Sequence, residues 1–132
     1  MKTKISIAVL TLAMTATSAS AQEQTRERTY EGPNVSASTT TTVDREAGSI
    51  SRDRAVTNNN TGQTASSQFD RQRTETGAVV SGQRTGFGGR TSSFDGERVR
   101  TDNGSTFNGT ATGRAGREWG LSGERSRDGM GN

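Results

Sequence analysis

The 132-residue chain has no cysteine and no histidine, and its only lysines are Lys2 and Lys4. Each absence removes a chemistry. Without cysteine no disulfide can staple a small fold, even in a compartment that would permit one. Without His or Cys, and with no lysine past residue 4, the usual nucleophile-and-base pairings cannot be assembled. Metal sites lose their commonest ligands. Scattered Asp and Glu could flank a glycosidic bond, but nothing in the sequence builds a rigid cleft around them. The expectation is a protein that is not an enzyme and uses no cofactor or metal.

Large apolar side chains are scarce as well. Leu, Ile, Val and Phe fill 12 of the 111 positions from residue 22 onward, joined by one Tyr and one Trp. That is well under the roughly 20% below which a chain becomes a candidate for disorder. Ordering a residue costs about 1–2 kcal/mol of backbone entropy, while burying a large side chain returns about 1.5–3 kcal/mol. A globule around a conventional core is therefore not expected. The disorder signature is incomplete too, because Thr and Val favour strands and the charges of both signs nearly balance.

What is present begins with an export signal. Lys2 and Lys4 make a positive start, Ile5 to Met14 form a short apolar stretch, and Ala19-Ser20-Ala21 offers small residues before a cut. The apolar stretch is shorter than the roughly 20 residues of a spanning helix. Residues 1–21 read as a helical signal peptide cleaved after Ala21, with no membrane span afterwards. The address is periplasmic or extracellular, in a bacterium. Removing Lys2 and Lys4 from the 17 basic residues leaves 15 arginines against 14 acids. Such a balance, on an exported chain, gives no reason to expect a nucleic-acid partner.

The rest of the chain has a period. GQTASSQFDRQRTETG from Gly62, GRTSSFDGERVRTDNG from Gly89 and GREWGLSGERSRDGMG from Gly116 follow one another at 27 residues. Arg71, Arg98 and Arg125 coincide under this offset, as do Arg73, Arg100 and Arg127. The intervening GAVVSGQRTGFGG and GSTFNGTATGRAG match as well. The organisation read from this is a signal peptide (1–21), a Ser/Thr-rich segment that includes a degenerate copy (22–47), and a Gly/Thr/Arg-rich tandem-repeat region (48–132). Ser36 to Val43, Ser49 to Thr57, Gly77 to Ser81 and Arg98 to Thr101 carry strand formers. Asp95-Gly96, Asn103-Gly104 and Asn108-Gly109 have the chemistry of tight hairpin turns. The fold class expected is mainly β, with short strands and turns forming a β-meander or a thin solenoid, parts of which stay disordered if the core proves too small. Segment GPNVSASTTTTVDREAGSISRDRAV resembles, in composition only, Thr/Arg/Gly-rich repeat proteins of bacterial envelopes, and no site residue follows from that.

Arg-x-Arg occurs five times, at Arg26/Arg28, Arg52/Arg54, Arg71/Arg73, Arg98/Arg100 and Arg125/Arg127. Residues two apart in a strand share a face. Stacking the last three pairs in register would align Arg71, Arg73, Arg98, Arg100, Arg125 and Arg127 into a guanidinium ladder suited to phosphate, sulfate or carboxylate groups. The competing expectation is a solvated face neutralised across strands by Asp70, Glu97 and Glu124. Phe69, Phe87, Phe94, Phe107 and Trp119 could stack on sugar rings, or could supply what core there is. Three roles remain open: a structural or surface-interaction protein of the envelope, an anion-binding module for acidic polysaccharide or lipopolysaccharide, and a disordered chain that orders on a partner or by self-assembly.

Overall fold

The computed structural model describes residues 23–127, so the expected signal peptide lies outside the described residues. Within them the chain forms eight strands and no helix: β1 (Glu23–Glu31), β2 (Val35–Asp44), β3 (Ser49–Asn58), β4 (Thr64–Arg73), β5 (Gly77–Thr85), β6 (Thr91–Thr101), β7 (Gly104–Thr112) and β8 (Glu118–Ser126). Each strand pairs antiparallel with the next, and the order in the sheet is the order in the chain. The result is a meander in one open sheet, with β1 and β8 as its edges; of the two architectures expected from sequence, the solenoid is not formed.

Hairpin connections explain why so polar a chain can form a sheet, since every pairing is local and closes only a short loop. After β2, the Asp44 Oδ1 accepts hydrogen bonds from the backbone N–H groups of Glu46 and Ala47, both at 2.9 Å. After β3, the Asn58 Oδ1 accepts from Asn60 N–H at 2.9 Å and Thr61 N–H at 3.3 Å. The longer turns end on glycines in the left-handed region, Gly48, Gly62, Gly89 and Gly116, with φ between 67° and 74°. In the β5–β6 turn Gly89 N–H donates to Gly86 O, and in the β7–β8 turn Gly116 N–H donates to Gly113 O, each at 2.9 Å. These are type I turns closed by a left-handed residue, a standard hairpin solution. A Cβ on Gly89 would meet nothing within 4 Å, so only backbone strain opposes a side chain there. Gly89→Ala should cost about 1–2 kcal/mol, and Gly89→Asn distinctly less, as read from paired thermal melts.

Two of the three Asx-Gly dipeptides expected to make turns lie inside strands instead. Asp95-Gly96 lies inside β6 and Asn108-Gly109 inside β7, with Gly96 directly opposite Gly109. Asn103-Gly104 does sit at a turn, with Gly104 opening β7, yet its φ is not among the positive ones. All three glycines answer to close packing. A Cβ on Gly96 would strike the Phe107 ring, one on Gly109 the Asp95 carbonyl oxygen, and one on Gly104 the Arg125 carbonyl oxygen.

Among the described residues there is almost no interior. The buried apolar residues are Ala78 and Ala111, at 4% and 9% exposure, with Ser105 the buried polar one. All three lie on β5 or β7 and share one face of the sheet, because residues paired across antiparallel strands point to the same side. Larger side chains from β4, β6 and β8 close over them. What packing the protein has is a single layer of side chains on one face.

Candidate functional site: a charge-segregated sheet

The pairing register runs without interruption along every neighbouring pair of strands. Side chains alternate along a strand and paired residues share a face, so each strand residue can be assigned a side. One face carries Arg26, Arg28, Arg52, Arg54, Arg71, Arg73, Arg84, Arg98, Arg100 and Arg125, which is every arginine within a strand. The opposite face carries Glu23, Glu27, Glu31, Asp44, Asp53, Asp70, Asp95, Glu97, Glu118 and Glu124, which is every strand acid. Neither sign crosses to the other side.

This arrangement overturns the expectation that Asp70, Glu97 and Glu124 neutralise the arginines across strands. Those acids follow or precede an arginine in sequence, and an adjacent residue in a strand faces the other way. The segregation is built from short alternations: Arg26-Glu27-Arg28, Arg52-Asp53-Arg54, Asp70-Arg71, Glu97-Arg98 and Glu124-Arg125.

The basic face also holds the aromatics. One row of paired residues runs Arg26, Thr41, Arg52, Phe69, Gly82, Phe94, Ala111, Trp119 across all eight strands. Large and small side chains alternate in its second half. Phe69 and Phe94 lean together over Gly82, with ring centroids 6.5 Å apart and planes tilted by 35°. Ala111 lies between Phe94 and Trp119. Phe107 lies two rows away on the same face, beside Arg98. Phe87 is apart from these, in the β5–β6 turn and 42% exposed.

The six arginines expected to form a ladder are placed as follows. Arg71, Arg73, Arg98, Arg100 and Arg125 share the basic face, and Arg127 lies one residue beyond β8, where its N–H donates to Asn103 O. They do not stack directly, because β5 and β7 intervene. Arg73 aligns with Arg98 across Ala78, and Arg100 with Arg125 across Ser105. Arg71 falls in a different row, with Val80 and Gly96. Arginines on alternate strands are about 10 Å apart, and the two of an Arg-x-Arg pair about 7 Å. The array is an open grid of charges rather than a ladder. Arg98 is held in it by a 3.0 Å hydrogen bond from its Nε to the Ser105 hydroxyl.

Sequence reasoning missed one feature of this face. A shallow depression of about 720 Å³ has Phe94, Ala111 and Trp119 on its floor and Arg84, Arg114 and Arg117 around it. Trp119 is 49% exposed, so its ring is available to a ligand. Arg114 and Arg117 reach this place from the β7–β8 turn, and nothing in their spacing announced it. The acidic face is different in kind, with hydroxyl pairs bridging its strands: Thr25 to Thr42 at 3.2 Å, Thr57 to Thr64 at 3.0 Å and Thr85 to Thr91 at 3.1 Å. No family model, curated protein or solved structure matches this chain, so its own residues carry the functional argument.

Proposed function

We propose that this is an exported, non-enzymatic repeat protein of the bacterial envelope, acting as an interaction surface whose basic face holds the acidic groups of polysaccharide or lipopolysaccharide. The observation that carries the reading is the collection of every strand arginine on one face, away from every strand acid. Arginine forks pair with carboxylate and phosphate oxygens in bidentate fashion. Spread at about 7–10 Å intervals, they suit a chain of repeating anions better than one small ion. The aromatic floor between Arg84, Arg114 and Arg117 suits a sugar ring stacked on Trp119 with its carboxylate on an arginine.

The tandem-repeat reading draws support from the strand positions. β4, β6 and β8 begin at Thr64, Thr91 and Glu118, β5 and β7 at Gly77 and Gly104, and the left-handed glycines Gly62, Gly89 and Gly116 keep the same spacing. A module of one hairpin, repeated, extends a charged face without needing a deep core.

The test is binding of the purified exported chain to polygalacturonate, which offers carboxylates on sugar rings, and to lipopolysaccharide, which adds phosphates. Changing Arg71, Arg73, Arg98, Arg100, Arg125 and Arg127 together to Gln should lower affinity at least about tenfold, since hydrogen bonds to charged groups are worth about 1.5–3 kcal/mol each. Unchanged affinity overturns the proposal. Trp119→Ala separates the two sources: it should weaken polygalacturonate and leave phosphate-dependent binding in place.

A further inference from the structure

The two faces are complementary to each other, and we infer that the protein stacks head to tail, the basic face of one copy lying on the acidic face of a second. The inference does not depend on the polysaccharide reading. It starts from two facts: both faces of the sheet are open, and the charges on them are segregated by sign.

The sequence alternation decides the geometry. Asp53 sits between Arg52 and Arg54, and Glu97 beside Arg98, with side chains on opposite faces. A second copy displaced along the sheet normal by the usual spacing of about 10 Å therefore brings its Asp53 and Glu97 over those arginines, within one residue along the strand. No rotation beyond the small angle of aligned sheet packing is needed. The same displacement lays Ser81, Ser93 and Thr110 over the aromatic row, together with Gln68 and the carboxylates of Asp70, Asp95 and Glu118. Eight strands about 4.8 Å apart and about 30 Å long present roughly 1,000 Å² per face, so each junction removes roughly 2,000 Å² from water, the size of a stable specific interface. Such a contact joins two different surfaces, so it leaves a basic face free at one end and an acidic face at the other. It does not close, and growth continues.

The experiment is sedimentation velocity on the exported chain over a range of concentrations. At about 20 mM salt the average mass should climb with concentration to several times that of the monomer, and at about 500 mM it should fall back, as the screening length shrinks from roughly 20 Å to roughly 4 Å. Two variants each lose one face: Asp53→Asn, Asp70→Asn, Asp95→Asn, Glu97→Gln, Glu124→Gln on the acidic side, and Arg52→Gln, Arg71→Gln, Arg73→Gln, Arg98→Gln, Arg125→Gln on the basic side. Each alone should be monomeric, with a strand spectrum retained. Mixed, they should form a pair of twice the monomer mass, because each still owns one working face. Neutralising the turn acids Glu46, Glu75 and Asp102 changes net charge without touching either face and should leave stacking intact. A wild-type chain that stays monomeric at low salt overturns the inference. So does association that ignores salt, which marks pairing of the β1 and β8 edges, or a mixture that does not pair, or loss of stacking in the turn-acid variant. The acidic-face variant keeps its arginines and should still bind polygalacturonate, so a failure of stacking and a failure of polysaccharide binding are told apart.

Discussion

Gly77→Ala will unpair β5 from β6 at the end where the two strands start and finish, and Gly104→Ala will do the same to β7 and β8. A methyl on Gly77 would stand 2.8 Å from the Arg98 carbonyl carbon, nearer still to its oxygen, and 3.1 Å from the Val99 Cα. At Gly104 the corresponding atoms are the Arg125 carbonyl and the Ser126 Cα, the latter at 3.0 Å. These obstacles are backbone, so no rotamer change relieves them. The partner strand must move away, and it is held there by the Arg100 N–H donating to Thr76 O at 2.7 Å and, in the second case, by Arg127 N–H donating to Asn103 O at 2.6 Å. Overpacking of this kind costs about 1–3 kcal/mol or more, a large loss for a sheet with only two buried apolar residues. The melting temperature should drop, and the Arg100 amide should lose its protection from hydrogen exchange. Gly120→Ala is the control. Its Cβ would meet nothing within 4 Å, and removing glycine's extra freedom in the unfolded chain should stabilise by a few tenths to about 1 kcal/mol.

The second large effect centres on Phe94. Its ring covers Gly82 on one side and borders Ala111 on the other, and it touches the Phe69 ring that leans toward it. Phe94→Ala removes the middle of the aromatic row and wets both small residues. Phenylalanine truncation in a full core costs about 3–5 kcal/mol; Phe94 is partly exposed, so about 2–3 kcal/mol is expected here. The diagnostic is the coupling with Gly82. In the wild type a Cβ on Gly82 would collide with the Phe94 ring, so Gly82→Ala should destabilise. With Phe94 already alanine the obstacle is gone, and the same Gly82→Ala should turn neutral or stabilising, because glycine weakens a strand interior. A double-mutant cycle by denaturant titration reads that change of sign. Additive effects would mean the two residues do not pack together.

Much of the architecture was legible in the residues themselves. Ser36 to Val43 and Ser49 to Thr57 have few alternatives to strand, and both expected segments sit inside β2 and β3. Gly62, Gly89 and Gly116 marked boundaries, and all three take the left-handed conformation there. The Asx-Gly dipeptides misled because glycine has two uses, freedom of φ and absence of a side chain. Only the neighbouring strand reveals which one applies at Gly96 or Gly109. The segregation of charge was present in the alternation Arg-Glu-Arg and Arg-Asp-Arg, since strand parity is a local property; it needed only that acids and arginines be read together.

The rows were not legible, and the reason is a difference of two residues. The proposed repeat has a period of 27, but the register places Phe69, Phe94 and Trp119 in one row, with neighbours 25 residues apart; Arg73 and Arg98, and Arg100 and Arg125, follow the same interval. From β4 to β8 each hairpin is sheared by two residues against the one before, an even shift that keeps every side chain on its own face. By itself, then, the sequence determined several of the strands, the glycine-marked boundaries between them, and which side chains share a face, because these depend on local conformation and on a period of two. Only the tertiary structure decided which side chains meet across strands, and so where the aromatic row and the arginine-rimmed depression lie, because register is set by the packing of whole hairpins against each other.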